Sequence, residues 1–118
     1  MQHITIYHNP RCSKSRQALQ LLKEHEVELT VVQYIKNPPS VLQLQRILTL
    51  ADLSAKDIIR QNETLFKELK LHNKLDDDTL LLNTMAKHPN LIERPIVLSH
   101  EKALVARPPT RTLELISS

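Results

Sequence analysis

The sequence of 118 residues predicts a single α/β domain, in which a β-α-β segment and a β-β-α segment flank a helical insertion at about residues 40–88. Three observations support this fold class. Short segments rich in Ile and Val lie near both ends of the chain. Apolar residues at helical spacing fill its middle. Clusters of Pro and Asn, without any glycine, separate these segments.

The first third of the chain predicts the β-α-β segment. Apolar and polar residues alternate over 3–7 and indicate a first strand, and 29–35 is apolar and β-branched, as in a second. Between them, the apolar spacing over 13–26 predicts a helix. His8-Asn9-Pro10-Arg11 is a turn signal, so Cys12 lies where the turn meets the helix.

The middle of the chain predicts several helices after the break at Asn37-Pro38-Pro39. Apolar side chains recur on one stripe of each segment, which is typical of helices that bury one face. Their starts are predicted at Ser40, with a capping box to Gln43, at Ser54, near residue 63, and at Asp76 or Asp77.

The last quarter predicts two strands at 95–98 and 103–106, joined by a turn over 99–102, and a final helix at about 110–116. Without the helical insertion, the element order is that of a thioredoxin-like core. In such a core, the loop after the first strand leads directly into a helix N-terminus, and Cys12 lies at that junction.

Composition restricts the classes of function. The absence of glycine excludes glycine-rich nucleotide loops, and the net charge of +3 with few aromatic residues does not favour nucleic acid. One cysteine excludes an internal disulfide, and no histidine pair has metal-ligand spacing, so we expect no metal and no bound cofactor. No long apolar run or leader is evident, so we expect a cytoplasmic monomer without a membrane contact.

Cys12 is the main candidate for chemistry. The partial positive charge of a helix N-terminus, with Arg11 and Lys14 on either side, favours the thiolate, which is the nucleophilic form of cysteine. The alternative is that Cys12 is a buried apolar filler. The pattern C-x-x-S lacks a second thiol, so any redox cycle needs an external thiol.

Two polar neighbours leave alternatives open. Ser15 follows Cys12 by three residues, so it is either a donor to the thiolate or an ordinary serine of the first helical turn. His8 is either a proton shuttle or cation beside the thiolate, or a turn histidine with a satisfied hydrogen bond.

Three arginines lie at ends of predicted elements, where guanidinium groups can converge on an oxyanion. These are Arg60, Arg94 and Arg107. The alternative for each is a surface salt bridge, and periodicity does not show that they converge. Pro95 follows Arg94, and on the residues alone its peptide bond is expected to be trans.

Four motifs together resemble the glutaredoxin-coupled arsenate reductase (ArsC) family. They are ITIYHNPRCSKSR at the start, IIRQNE at 58–63, HPNLIERPIV at 88–97 and VARP at 105–108. They occur in register along nearly the whole chain, which makes the match far more specific than C-x-x-S. The resemblance implies a thioredoxin-like fold with a helical insertion.

The resemblance also implies roles. Cys12 matches the nucleophile, and Arg60, Arg94 and Arg107 match the arginines that bind the oxyanion and its arsenic adduct. His8 matches a histidine that lowers the pKa of the cysteine, Ser15 a hydroxyl near the thiolate, and Pro95 a cis proline. The thiolate would attack arsenate and expel water, glutathione would join the adduct as co-substrate, and glutaredoxin would help to complete the reduction to arsenite.

Ser13-Lys14 departs from the family, whose well-studied members often have Gly-Thr after the cysteine. This departure and the short segment after the last predicted helix make the chain similar to a subgroup of ArsC-like proteins whose substrate is less certain. Two other functions stay open. One is an Spx-like regulator that binds RNA polymerase, and the other is a general glutathione-linked thiol reductase.

Overall fold

The computed structural model describes residues 1–116, and the chain in it divides into two compact units. One unit combines Met1–Asn37 with the chain from Arg94 onward, and the other is Pro38–Glu93. The second unit contains the residues of the predicted helical insertion. That the whole chain forms one domain stays a prediction.

The first unit is built on a four-stranded mixed sheet with the strand order β2-β1-β3-β4. Strand β1 (Gln2–His8) pairs in parallel with β2 (Val27–Gln33) and antiparallel with β3 (Ile96–Leu98). Strand β3 then pairs antiparallel with β4 (Ala103–Val105). Because β1 is an inner strand of the sheet, the loop that follows its carboxyl end at His8 lies at the middle of one end of the sheet.

Helix α1 (Ser13–Lys23) connects the two parallel strands and packs on one face of the sheet. A 3-10 helix, Pro109–Glu114, also contacts α1. The core between them is aliphatic, as expected from a chain with one Phe and no Trp. Its buried members are Ile4, Ile6, Ala18, Leu22, Val97, Leu104, Ala106 and Leu115.

The second unit consists of short helices. The longer ones are α2 (Val41–Ala51), α3 (Thr64–Glu68) and α4 (Asp78–Lys87), and 3-10 turns cover Ala55–Asp57, Leu71–Asn73 and Pro89–Leu91. Ser40 and Gln43 form the predicted capping box at α2, with reciprocal hydrogen bonds of 3.1 and 2.9 Å. Asp77 caps α4 by accepting from Leu80 N–H at 3.0 Å.

Two non-glycine residues of this unit adopt the left-handed backbone region that glycine usually fills. Asp52 ends α2 and Lys70 follows α3, both with φ of 56°. Asp tolerates this conformation comparatively well, whereas a lysine there is uncommon. The chain therefore makes these two helix ends without glycine.

Several predicted elements differ from expectation in length or helix type, and three of these differences are informative. Helix α1 stops at Lys23 rather than residue 26, because Val27 already pairs with Gln2 in the sheet. The expected helix after Ser54 is only a 3-10 turn with a capping box. The final helix is a 3-10 helix rather than an α-helix, and Pro109 opens it.

The α/β, thioredoxin-like fold class predicted from the element order is confirmed, with the insertion between β2 and β3. Within residues 1–116, no helix is both long and apolar enough to cross a membrane.

Candidate active site

The loop that carries Cys12 is a tight turn between β1 and α1. Cys12 is the N-cap residue of α1, in an extended conformation with φ −97° and ψ 120°. Its N–H donates to the Asn9 carbonyl at 3.0 Å, and the Arg11 N–H donates to Asn9 Oδ1 at 3.0 Å. Asn9 therefore shapes the turn, as its position in the sequence predicts, and fixes Cys12 at the end of the helix.

The surroundings of Cys12 favour its thiolate. Burial raises the pKa of the thiol, but this effect is outweighed, and the pKa lies below its ordinary value. The lowering comes from the backbone N–H of Ser15, a hydrogen bond and the charge of the Arg94 guanidinium, and the backbone N–H of Lys14. The helix N-terminus and one arginine thus stabilise the nucleophilic form together.

The hydroxyl of Ser15 lies in a buried hydrogen-bond network. Ser15 is fully buried, its Oγ accepts from the Asn9 N–H at 3.0 Å, and His8 Nδ1 lies 2.6 Å from the same oxygen. The side chain thus ties β1, the turn and α1 together, while the Ser15 backbone N–H faces the thiol. The backbone N–H of Ser15 is thus the group directed at the thiol, and a role of its hydroxyl at the thiolate stays a prediction.

His8 is buried at the end of β1, where its ring contacts Ser15. Desolvation by burial lowers its pKa, and the positive charges of Lys23 and Arg16 lower it further. The ring is therefore neutral near pH 7, and His8 is tied to the cysteine loop through Ser15. That it lowers the pKa of the cysteine stays a prediction from the resemblance.

Arg94 lies directly before Pro95 and reaches the site from the start of β3. The Arg94–Pro95 peptide bond is cis, and Pro95 is buried. The Arg94 Nε–H is buried without a hydrogen-bond partner within the described part of the chain. A buried guanidinium N–H without an acceptor is a donor available to an anion.

Arg107 follows β4, and its guanidinium contacts the backbone of Arg94. Its Nη1 donates to the Arg94 carbonyl at 3.2 Å, and the Arg107–Pro108 bond is a second cis peptide. Within residues 1–116, neither arginine forms an ion pair with a carboxylate. No carboxylate of that part of the chain therefore neutralises the charge of Arg94 or Arg107.

Arg60 belongs to the second unit, and there it is paired with carboxylates. Its guanidinium forms an ion pair with Glu63, and its Nε lies 3.6 Å from Glu93 Oε1. The Arg60 backbone N–H donates to the Leu91 carbonyl at 2.7 Å. Its role in oxyanion binding stays a prediction.

The first unit thus brings together six of the predicted site residues, namely His8, Cys12, Ser15, Arg94, Pro95 and Arg107. One further contact was missed from the sequence. The Arg16 guanidinium donates to the Pro10 carbonyl at 2.9 Å. Its spacing of four residues from Cys12 was the available signal, since it places Arg16 one helical turn beyond the cysteine.

A second cluster of polar residues lies at the opposite end of β1. The rings of His3 and His100 are 5.8 Å apart, and His3 Nε2 lies 2.8 Å from Thr30 Oγ1. Within the described residues, no group of three or more His, Cys, Asp or Glu side chains could hold a metal ion.

Comparisons with known proteins agree with this geometry. The model of the ArsC family matches residues 7–115. An arsenate reductase from Neisseria meningitidis is 48% identical over 109 residues, which is 92% of this chain and 93% of that protein. An Escherichia coli protein described only as uncharacterized protein YfgD is 43% identical over 116 residues, 98% of each.

A solved structure gives the same result in three dimensions. An arsenate reductase from Vibrio cholerae superposes with a TM-score of 0.92 at 40% identity, covering 98% of each chain. The matched residues extend over both units of the chain.

Proposed function

The chain belongs to the ArsC family, and from this premise we propose that it is an arsenate reductase whose nucleophile is the Cys12 thiolate. The observation that carries the proposal is the setting of Cys12. A thiol with a lowered pKa lies at a helix N-terminus beside Arg94, whose buried Nε–H lacks an acceptor within residues 1–116. This combination suits attack on an oxyanion.

In the proposed first step, the Cys12 sulfur attacks the arsenic atom of arsenate. A sulfur–arsenic bond forms, an arsenic–oxygen bond breaks, and the departing oxygen leaves as water after taking up protons. The arsenic stays in the +5 state during this step. The positive charge of Arg94 stabilises both the attacking thiolate and the negative oxygens that approach it.

Arg107 extends the proposed anion site within the first unit. Arg107, whose charge has no carboxylate partner in the described chain, contributes a second guanidinium next to Arg94. Arg60 matches the family motif for an arginine that binds the oxyanion, and we propose the same role for it; within its own unit, Glu63 and Glu93 hold its guanidinium. Each charged hydrogen bond to the anion is worth roughly 1.5–3 kcal/mol.

The electrons come from outside the chain, because Cys12 is its only cysteine. Reduction of arsenic from +5 to +3 needs two electrons, which equal the oxidation of two thiols to one disulfide. We propose glutathione as the co-substrate that joins the adduct, and glutaredoxin as the partner that completes release of arsenite. The cytoplasm, where thiols stay reduced, is the proposed location, and the monomer the proposed state.

The decisive experiment measures arsenite formed from arsenate with glutathione and glutaredoxin. We expect turnover by the wild type, and background rates for Cys12→Ser and without glutathione. Ser13→Ala is the matched control, because it changes the neighbouring exposed side chain and leaves the thiol.

Absence of turnover by the wild type would exclude arsenate as the substrate. A glutathionylated peptide in the same assay tests for a general thiol reductase, and an RNA polymerase pull-down tests for an Spx-like regulator. Reduction of the peptide without arsenate turnover, or stable polymerase binding, would replace the proposal.

A further inference from the structure

We propose that Arg16 is a positioning residue, which holds the Cys12 loop in its reactive conformation by binding the Pro10 carbonyl. The Arg16 Nη1 lies 2.9 Å from that oxygen. Pro10 precedes the cysteine by two residues and Arg16 follows it by four. The bond therefore spans Cys12 from the loop to the first turn of α1.

The loop has a specific need for such a bond. Proline has no N–H, so Pro10 can be tied to the rest of the protein only through its carbonyl. Two other bonds of the turn, from the Arg11 and Cys12 amides, end on Asn9, and the Asn9 N–H in turn donates to Ser15 Oγ. The Arg16 side chain instead ties the exposed middle of the turn to the helix.

The consequence for Cys12 is geometric. The Lys14 and Ser15 amides and the Arg94 guanidinium stabilise the thiolate only while its sulfur stays aligned with them. Hydrogen bonds weaken steeply as the angle departs from linear. The Arg16 N–H also donates to the Cys12 carbonyl at 3.0 Å. The side chain of Arg16 therefore restrains Pro10, which precedes the cysteine, and its backbone N–H restrains the carbonyl of Cys12 itself.

Charge alone is the competing explanation, because a cation one turn from a thiolate also stabilises it. Arg11 provides the comparison, since it adjoins Cys12 and is exposed, and within the described chain no hydrogen bond of its side chain is found. An effect through charge is screened at high salt, whereas an effect through loop geometry persists.

The test measures the pH profile of Cys12 alkylation by iodoacetamide for wild type, Arg16→Met, Arg16→Lys and Arg11→Ala, at low salt and in about 1 M KCl. For Arg16→Met we expect a rate at pH 7 about tenfold lower, the value of one charge-assisted hydrogen bond, and a higher midpoint at both salt concentrations. Arg16→Lys, which keeps a donor, recovers part of the rate. Arg11→Ala shifts the profile only at low salt.

An unchanged profile for Arg16→Met would overturn the inference, as would a change that disappears in 1 M KCl or that Arg16→Lys does not reduce. If Arg16→Met fails to fold by circular dichroism, Arg16→Gln, a shorter and neutral side chain, replaces it. A lower rate and a higher midpoint at both salt concentrations then support the inference, and a wild-type profile overturns it. The inference rests on the proposed nucleophile, but alkylation needs no arsenate. A failure of arsenate turnover would therefore not change the outcome of the alkylation experiment.

Discussion

His8 Nδ1 lies 2.6 Å from the Oγ of Ser15, and that oxygen also accepts a hydrogen bond from the Asn9 backbone. This contact joins the end of β1 to the first turn of α1, on either side of the cysteine loop. Because His8 is buried, its protonation state is coupled to the stability of the fold.

The first prediction concerns pH. The pKa of His8 is lowered in the folded protein by desolvation and by the charges of Lys23 and Arg16. Below pH 6.5, the unfolded chain then binds more protons at this site than the folded one. The contribution of His8 to stability is fully present above pH 6.5, and is lost as the pH falls from there through the lower folded-state pKa. The slope from one proton is at most about 1.4 kcal/mol per pH unit.

Denaturant unfolding between pH 7.5 and 5 measures this slope. His8→Gln should reduce this slope, and the difference between the wild type and the variant isolates the contribution of His8. Equal slopes in wild type and His8→Gln would show that His8 is not the titrating group.

The second prediction concerns Ser15. Ser15→Ala removes the acceptor of the Asn9 N–H and the partner of His8 Nδ1, and should destabilise the protein by about 1–3 kcal/mol. Ser13→Ala changes an exposed serine of the same turn and should stay within about 0.5 kcal/mol of wild type. The measurement is the free energy of unfolding in urea, and similar values for both variants would contradict the prediction.

The third prediction separates the two arginines of the first unit. Arg94→Ala removes a hydrogen bond and a charge that lower the pKa of Cys12, so the pKa should rise, and burial then favours the thiol further. Arg107→Ala should raise it less, because its guanidinium contacts the Arg94 carbonyl. Ultraviolet absorbance of the thiolate against pH gives both values, with Cys12→Ser as the blank. An equal rise of the Cys12 pKa in both variants would contradict this difference between Arg94 and Arg107.

Local interactions were the part that the sequence could predict. The capping box of Ser40 and Gln43 and the N-cap Asp77 depend on residues within one turn of each other, and the structure forms them as expected. The position of Cys12 at a helix start follows from the same local signals. The three candidate arginines could not be linked to Cys12 by such local signals, and only the resemblance to the ArsC family, now confirmed, linked them to it.

Contacts between distant residues were beyond prediction from periodicity. Arg94 and Cys12 are 82 positions apart, and their approach depends on β3 pairing beside β1. The cis bond before Pro108 was not expected, since a sequence carries little information on the isomer of one X-Pro bond. The bond from Arg16 to Pro10 depends on a rotamer, which helical spacing does not determine.

The fourth prediction concerns Arg60, on which Glu63 and Glu93 converge. If Arg60 binds the oxyanion as its motif match implies, the anion competes with these carboxylates. Arg60→Ala should then raise the KM for arsenate about tenfold with a smaller change in kcat, as for loss of uniform binding. Glu63→Gln should lower KM, because it frees the guanidinium. Steady-state kinetics measures both, and an unchanged KM for Arg60→Ala would remove Arg60 from the site.

The fifth prediction concerns Thr112, in the 3-10 helix that packs on α1. Its hydroxyl is buried, and it has no hydrogen-bond partner within residues 1–116. Such a group loses its hydration on folding without replacement, so Thr112→Val, which has nearly the same shape, should stabilise the protein by about 1 kcal/mol. For a domain of this size, that corresponds to a rise in Tm of roughly 3–6 °C.

Thr84→Val is the matched control for this substitution. The Thr84 hydroxyl donates to the Leu80 carbonyl at 2.7 Å, so the same chemical change there removes a hydrogen bond that is already made. We expect no gain in Tm from Thr84→Val, and a gain from Thr112→Val in calorimetry under identical conditions. A decrease for Thr112→Val would mean that its hydroxyl finds a partner in solution, such as a buried water, and that the polar group stabilises the packing of this 3-10 helix.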